Sequence, residues 1–201
     1  MSLFKKFFGT NNPASQEEND DDFNSLAKDN SALDDELFVI NFKKNGGKFL
    51  YCESLGEVKN HFEDILEEND WFESSVLCYE AALFPILDEN KLNYTATSGT
   101  QKFLFANCEN LIAEDGAILF SSNQIKQNKP QELPPNIIIF ATTSQIIKSK
   151  SDGLTAIKKR YEKNFPSNIT TIKYFEEAKE ESFLNYGSVA KNLYLLLLED
   201  L

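Results

Sequence analysis

At 201 residues and 41% apolar content, the chain has room for one sizeable core and is short for two domains. A net charge of −12 and a pI near 4.6 argue against a nucleic-acid or anionic-membrane surface, both of which need clustered Lys and Arg. No 18-residue apolar run is present, so no membrane-spanning helix is expected, and the start MSLFKKFFG lacks the apolar core and cleavage site of a secretory signal. Cys52, Cys78 and Cys108 are odd in number, widely spaced and set in or beside apolar runs. They read as buried free thiols rather than a metal or redox site, which suits a reducing compartment and a cytoplasmic location.

In chain order, residues 1–36 carry nine acidic and three basic side chains, half of the whole negative excess. Beyond residue 9 they read as a flexible acidic segment. Ahead of it, Phe4, Phe7 and Phe8 share one face at helical spacing, which suits either a docking peptide or a turn folded onto its own domain. The globular part spans 37–201. LFVINF (37–42) and KFLYC (48–52) flank Asn45-Gly46-Gly47, the pattern of an N-terminal β-hairpin. Ser54 with Glu57 fits a capping box for an amphipathic helix over 55–68, carried by Leu55, Val58, Phe62, Ile65 and Leu66. Strands are expected at 75–80, 103–106, 117–120, 137–140, 169–175 and 193–198, with a helix at 152–164 marked by Leu154, Ile157, Tyr161 and Phe165. Residues 81–100 are not determined, and 121–136 read as a polar loop. Continuous apolar strands alternating with helices imply a three-layer, Rossmann-like, mostly parallel α/β sheet.

The stretch around which this pattern turns is Asn110 to Ser122, NLIAEDGAILFSS. Its apolar start reads as a short helix ending at Gly116, the residue that takes a left-handed backbone at least cost. The strand that follows delivers Ser121 and Ser122 to its far end. Glu114 and Asp115 suit a general-base pair, Glu114 being the catalytic candidate; the bland reading has Glu114 capping a backbone turn and Asp115 facing solvent. Asp115, Gly116, Ser121 and Ser122 are candidates for holding an anionic ligand, although serines at a strand end are commonly plain loop residues. His61, the single histidine, falls on the 55–68 helix and reads as a surface residue. Arg160, the single arginine, suits either a bidentate anion clamp or a solvated helix face.

From about Phe38 to the end, the order of elements resembles the lactate-utilisation protein C family, the LUD domain. The resemblance rests most specifically on the Asn45-Gly46-Gly47 turn and on Ile112-Ala113-Glu114-Asp115-Gly116-Ala117 followed by Ile118-Leu119-Phe120, where the family has isoleucine-alanine-glutamate-threonine-glycine-threonine. Leu133-Pro134, Ile137 to Phe140, Gln145-Ile146-Ile147 and Tyr186-Gly187-Ser188 follow in the family's order. Asp115 and Ala117 stand where the family has threonines. YFEEAKEESFL, 174–184, stands where it has a glycine-proline-serine loop suited to an anion. The resemblance implies a fold like that of sugar isomerases and CoA transferases, with Gly187 added to the ligand-contacting set. It also implies an accessory role in L-lactate oxidation beside dehydrogenase-type and iron–sulfur partner subunits. The chain has no cysteine cluster, so no cofactor is expected on it and any redox centre belongs to a partner. The other reading is a non-catalytic binding or scaffold protein on the same fold, its ligand site degenerate and its Phe-rich start docking a partner.

Overall fold

In the computed structural model, which describes residues 34–175 and 191–200, the first element is a helix, α1 (Asp34–Lys44). The expected N-terminal hairpin is therefore corrected. LFVINF has strand-like composition, but Phe38, Val39 and Phe42 are its buried residues, an i, i+1, i+4 set that lies on one helical face. Three acids in the first turn and two lysines in the last suit the helix dipole. Asn45-Gly46-Gly47 closes this helix. Gly46, at φ 86°, donates to the Lys43 carbonyl and Gly47 donates to the Phe42 carbonyl, which together form a Schellman motif.

The chain then runs through β1 (Lys48–Cys52), α2 (Leu55–Asn69), β2 (Ser75–Leu77), α3 (Phe84–Glu89), β3 (Asn93–Thr95) and β4 (Phe103–Ala106). Ser54 caps α2 as expected, its Oγ accepting from the Glu57 amide at 3.2 Å. The Glu57 carboxylate reaches back to the Glu53 amide at 2.8 Å. A hairpin of β5 (Asn110–Ile112) and β6 (Ala117–Ser121) comes next, followed by a short α4 (Ser122–Ile125) and β7 (Asn136–Thr142). The last elements are β8 (Ile146–Ile147), α5 (Lys150–Arg160), β9 (Ile169–Ile172) and β10 (Asn192–Leu198). Residues 1–33 of the acidic, Phe-rich segment expected over 1–36, and residues 176–190 with Gly187 among them, lie outside the described residues, whereas Asp34, Asp35 and Glu36 open α1 rather than a flexible segment.

Six strands form a wholly parallel sheet in the order β1-β10-β7-β4-β2-β3. Four others form a small sheet, β8-β5-β6-β9. Along β10, Leu193, Leu195 and Leu197 enter one core while Tyr194 and Leu196 enter another, so both faces are covered and the strand reads as an unbroken apolar run. Val58, Phe62, Ile65 and Leu66 of α2 and Ile86 and Leu87 of α3 pack on the second face. The first face meets α1 together with Leu111, Ile118, Phe120 and Ile172 of the small sheet. Ile157 of α5 packs on the small sheet's outer side with Ile112, Ala117 and Leu119. The layered, Rossmann-like arrangement expected from the sequence is present.

All three cysteines are free and buried. Burial pushes the thiols upward, Cys52 to about 12 with the nearby Glu57 charge adding to the rise, and Cys78 to about 11 with its hydrogen bond to the Glu80 carbonyl opposing it. In native buffer, a thiol reagent is accordingly expected to label none of the three within minutes and all three after denaturant is added. Rapid labelling of the folded chain would contradict this packing.

Candidate functional site

The sequence suits a short helix before Gly116, but that segment is strand β5, paired antiparallel with β6. Leu111 and Ile112 are an apolar pair too short to show a period, so only the partner strand decides between helix and strand. The turn 113–116 is wedged against α1. Asn41 Nδ2 donates to the Ala113 carbonyl at 2.8 Å, and Asn45 Nδ2 donates to the Asp115 carbonyl at 2.7 Å. Gly116 sits at φ 66°, and a Cβ there would stand 2.4 Å from the Asn41 carbonyl carbon and the Phe42 nitrogen. Conformation and space both require glycine.

Each carboxylate of the turn has a local partner. Glu114 is exposed, and its Oε1 accepts from the Lys150 amide at 3.2 Å, in the first turn of α5. Asp115 Oδ1 accepts from the Ala117 amide at 3.1 Å, and Oδ2 lies 3.6 Å from Lys173 Nζ. Glu114 thus meets the start of a distant helix rather than its own turn, whereas Asp115 belongs to the turn and is only half exposed.

Ser121 and Ser122 lie at the other end of β6, about 17 Å of extended chain from Gly116. The structure therefore divides the predicted ligand set into two places. Neither serine is a plain loop residue. Ser122 Oγ accepts from the Ser167 amide at 3.1 Å. Ser121 is fully buried, caps α4 by accepting from the Asn123 amide at 3.1 Å, and lies 2.7 Å from Glu109 Oε1.

Glu109 was not anticipated, and it is the hub of this end of the molecule. It is 1% exposed. Its Oε2 accepts from Arg160 Nη1 at 2.6 Å, and its Oε1 accepts from Gln124 Nε2 at 3.0 Å and from the Tyr161 hydroxyl at 3.0 Å. The β4–β5 link, the end of β6, α4 and the end of α5 are thereby tied to one carboxylate. Arg160 stays exposed at the end of its helix but is not a free anion clamp, because the anion it holds, Glu109, is internal. An acid immediately before an apolar strand was the available signal, but nothing local distinguishes a buried acid from a turn acid. His61 stands half-buried on α2, 3.4 Å from the Asp64 carboxylate.

A second polar junction joins the carboxyl ends of β7 and β10. Asp200 accepts from the Thr143 hydroxyl at 2.9 Å, the Ser144 amide at 2.9 Å and the Ser144 hydroxyl at 2.7 Å. Partial burial pushes this carboxyl upward, but the hydrogen bonds from Ser144, Thr143 and Thr142 outweigh it and hold the group down at about 2. A folded-state value below the ordinary one makes the tie stabilising above about pH 4, and that contribution is lost as pH falls through about 2. A carboxyl-carbon NMR titration of Asp200 should show its midpoint near pH 2; a midpoint near the ordinary 3.8 would contradict these bonds.

No protein-family model and no curated protein matches the sequence. Among solved structures, the crystal structure of a DUF162 family protein from Deinococcus radiodurans at 1.70 Å resolution is similar, with a TM-score of 0.57 and 12% identity. The likeness covers 82% of this chain and 94% of that one. It shows a shared fold. Over that fold, the hairpin that holds Ile112 to Phe120 is pinned by α1 on one side and α5 on the other.

Proposed function

We propose that this protein is a divergent LUD-domain protein that serves lactate utilisation as an accessory subunit without chemistry of its own at the Glu114 turn. DUF162 is the LUD-domain family, so the fold likeness and the residue resemblance at Ile112–Phe120 support the same assignment from different directions. The observation that carries the accessory reading is the engagement of the turn. Glu114 caps α5, Asp115 holds the Ala117 amide, and Asn41 and Asn45 of α1 and its cap occupy the turn's carbonyls. The two family threonines that would have offered hydroxyls there are Asp115 and Ala117 in this chain.

Redox centres, on this reading, sit on partner subunits. Cys52 ends β1, Cys78 follows β2 and Cys108 follows β4, each buried at a separate place. Among the described residues no helix is long and apolar enough to cross a membrane. A cytoplasmic location is part of the proposal, as is docking of the Phe-rich start on a partner. Deleting the gene is expected to impair growth with lactate as sole carbon source, and affinity purification from lactate-grown cells is expected to bring down an iron–sulfur subunit. Unimpaired growth would remove the lactate assignment.

A further inference from the structure

We propose that the basic face formed by α5 and β9 is a docking surface, and that its occupant is this chain's own acidic run, Glu17 to Asp22. Charge is unevenly divided along the chain. Residues 148–173 hold seven bases and two acids, a net of +5 within a chain of net −12. Of the seven bases, Arg160 is bonded to Glu109 and Lys173 faces Asp115. Lys148, Lys150, Lys158, Lys159 and Lys163 are exposed, and none has an ion-pair partner among the described residues. Asp152 is turned back on Ser149, its Oδ2 accepting from the Ser149 hydroxyl at 2.7 Å, which leaves Glu162 facing five lysines. A surface of one sign attracts an opposite one over the reach of its field.

The face is a bounded strip. Lys150, Leu154 and Lys158 recur at i, i+4 and i+8, along one side of α5. Lys150 Nζ donates to Thr171 Oγ1 at 3.4 Å, so that side borders β9. Among the described residues β9 is the outer strand of the small sheet, paired with β6 alone. Apolar side chains stand among the lysines, Leu154 at 40% and Phe165 at 53% exposure. The strip therefore offers both positive charge and apolar contact.

The amino-terminal segment carries the complement. Between Lys6 and Lys28 the sequence has no base and five acids, Glu17, Glu18, Asp20, Asp21 and Asp22, followed by Phe23 and Leu26. Five carboxylates answer five lysines, and two apolar side chains answer Leu154 and Phe165. The attachment point is close. Asn41 of α1 binds the Ala113 carbonyl, and the neighbouring Glu114 amide donates to the Lys148 carbonyl at 3.0 Å. Asp34 stands about 10 Å of helix before Asn41, and the chain from Asp34 back to Asp22 can span up to about 40 Å. A tether of that length holds the acids near the lysines at an effective concentration of about millimolar, which favours this segment over a free acidic peptide. The assignment does not rest on the lactate reading.

A nitroxide on Ser25→Cys of the full chain tests this by NMR, since Cys52, Cys78 and Cys108 are buried and leave the new thiol to take the label. At about 0.01 M salt, where charge acts over about 30 Å, the amide signals of Leu154, Lys158 and Lys159 should lose about half their intensity or more. At about 1 M salt, where charge acts over about 3 Å, they should recover. Neutralising the acids together (Glu17→Gln, Glu18→Gln, Asp20→Asn, Asp21→Asn and Asp22→Asn) should abolish most of the loss at low salt. So should neutralising the bases together (Lys158→Gln, Lys159→Gln and Lys163→Gln), all exposed side chains whose change leaves the core intact. Full intensity at low salt, or a loss that survives either neutralisation, would overturn the assignment. An equal loss in an isotope-enriched chain mixed with a spin-labelled, unenriched one would also overturn it, by making the occupant a second copy.

Discussion

Replacing Arg160 by methionine is expected to lower the unfolding free energy by about 3 kcal/mol or more. The reason is an asymmetry within the pair. The Arg160 side chain is 45% exposed, so if Glu109 is removed the guanidinium rehydrates. Glu109 is 1% exposed, so if Arg160 is removed a carboxylate stays buried without a counter-charge. Glu109→Gln should therefore cost less, about 1–2 kcal/mol, because glutamine keeps an acceptor for Ser121, Gln124 and Tyr161. The double variant should recover part of the Arg160→Met loss. Urea unfolding of the two single variants and the double variant measures the coupling directly. Equal costs for both single changes, or strict additivity in the double, would show that the pair is not the buried hub described above.

Gly116→Ala is expected to cost about 3 kcal/mol or more and to loosen α1. An alanine at φ 66° is disfavoured by about 1–2 kcal/mol through backbone sterics alone. Its Cβ would also stand 2.4 Å from the Asn41 carbonyl carbon and the Phe42 nitrogen. Both are helix backbone, so relief requires α1 to move as a body, with loss of the Asn41 and Asn45 bonds to the turn. Phe42 packs against Phe38 and Phe175, with ring centroids 5.4 and 4.9 Å away, so the displacement should register in aromatic circular dichroism as well as in the unfolding midpoint. An unchanged midpoint would mean that α1 does not rest on the hairpin.

The parts of the fold readable from sequence were those whose signal is local and complete. Ser54 and Glu57 mark the start of α2 because capping is a contact across three residues. Ile137 to Phe140 and Leu193 to Leu198 reveal central strands because burial on both faces leaves no polar position. LFVINF suits a strand by its aromatic and β-branched residues, and the three acids before it, which favour a helix start, are indistinguishable in composition from the acidic segment they end. Leu154 and Phe165, expected on the buried face of α5, are exposed at 40% and 53%, and the helix stops at Arg160. Ser149, capping with Asp152, was its clearer marker. The candidate site divides along the same line. Gly116 was found because a turn demands it. Glu109 was missed because its partners Arg160 and Tyr161 are 51 and 52 positions away, and only the fold brings them together.

If, as proposed, the Ile112–Phe120 hairpin is a structural joint in an accessory protein of lactate utilisation, the Glu114 carboxylate is dispensable for that role. Glutamine keeps an acceptor for the Lys150 amide while removing the carboxylate, so Glu114→Gln separates capping from proton transfer. The measurement is lactate-dependent oxygen uptake in cells whose own copy carries Glu114→Gln, beside a deletion strain and the parent. Parental uptake is expected for Glu114→Gln and strongly reduced uptake for the deletion. Uptake as low as the deletion, with the variant present at normal abundance, would contradict it and make Glu114 a catalytic residue.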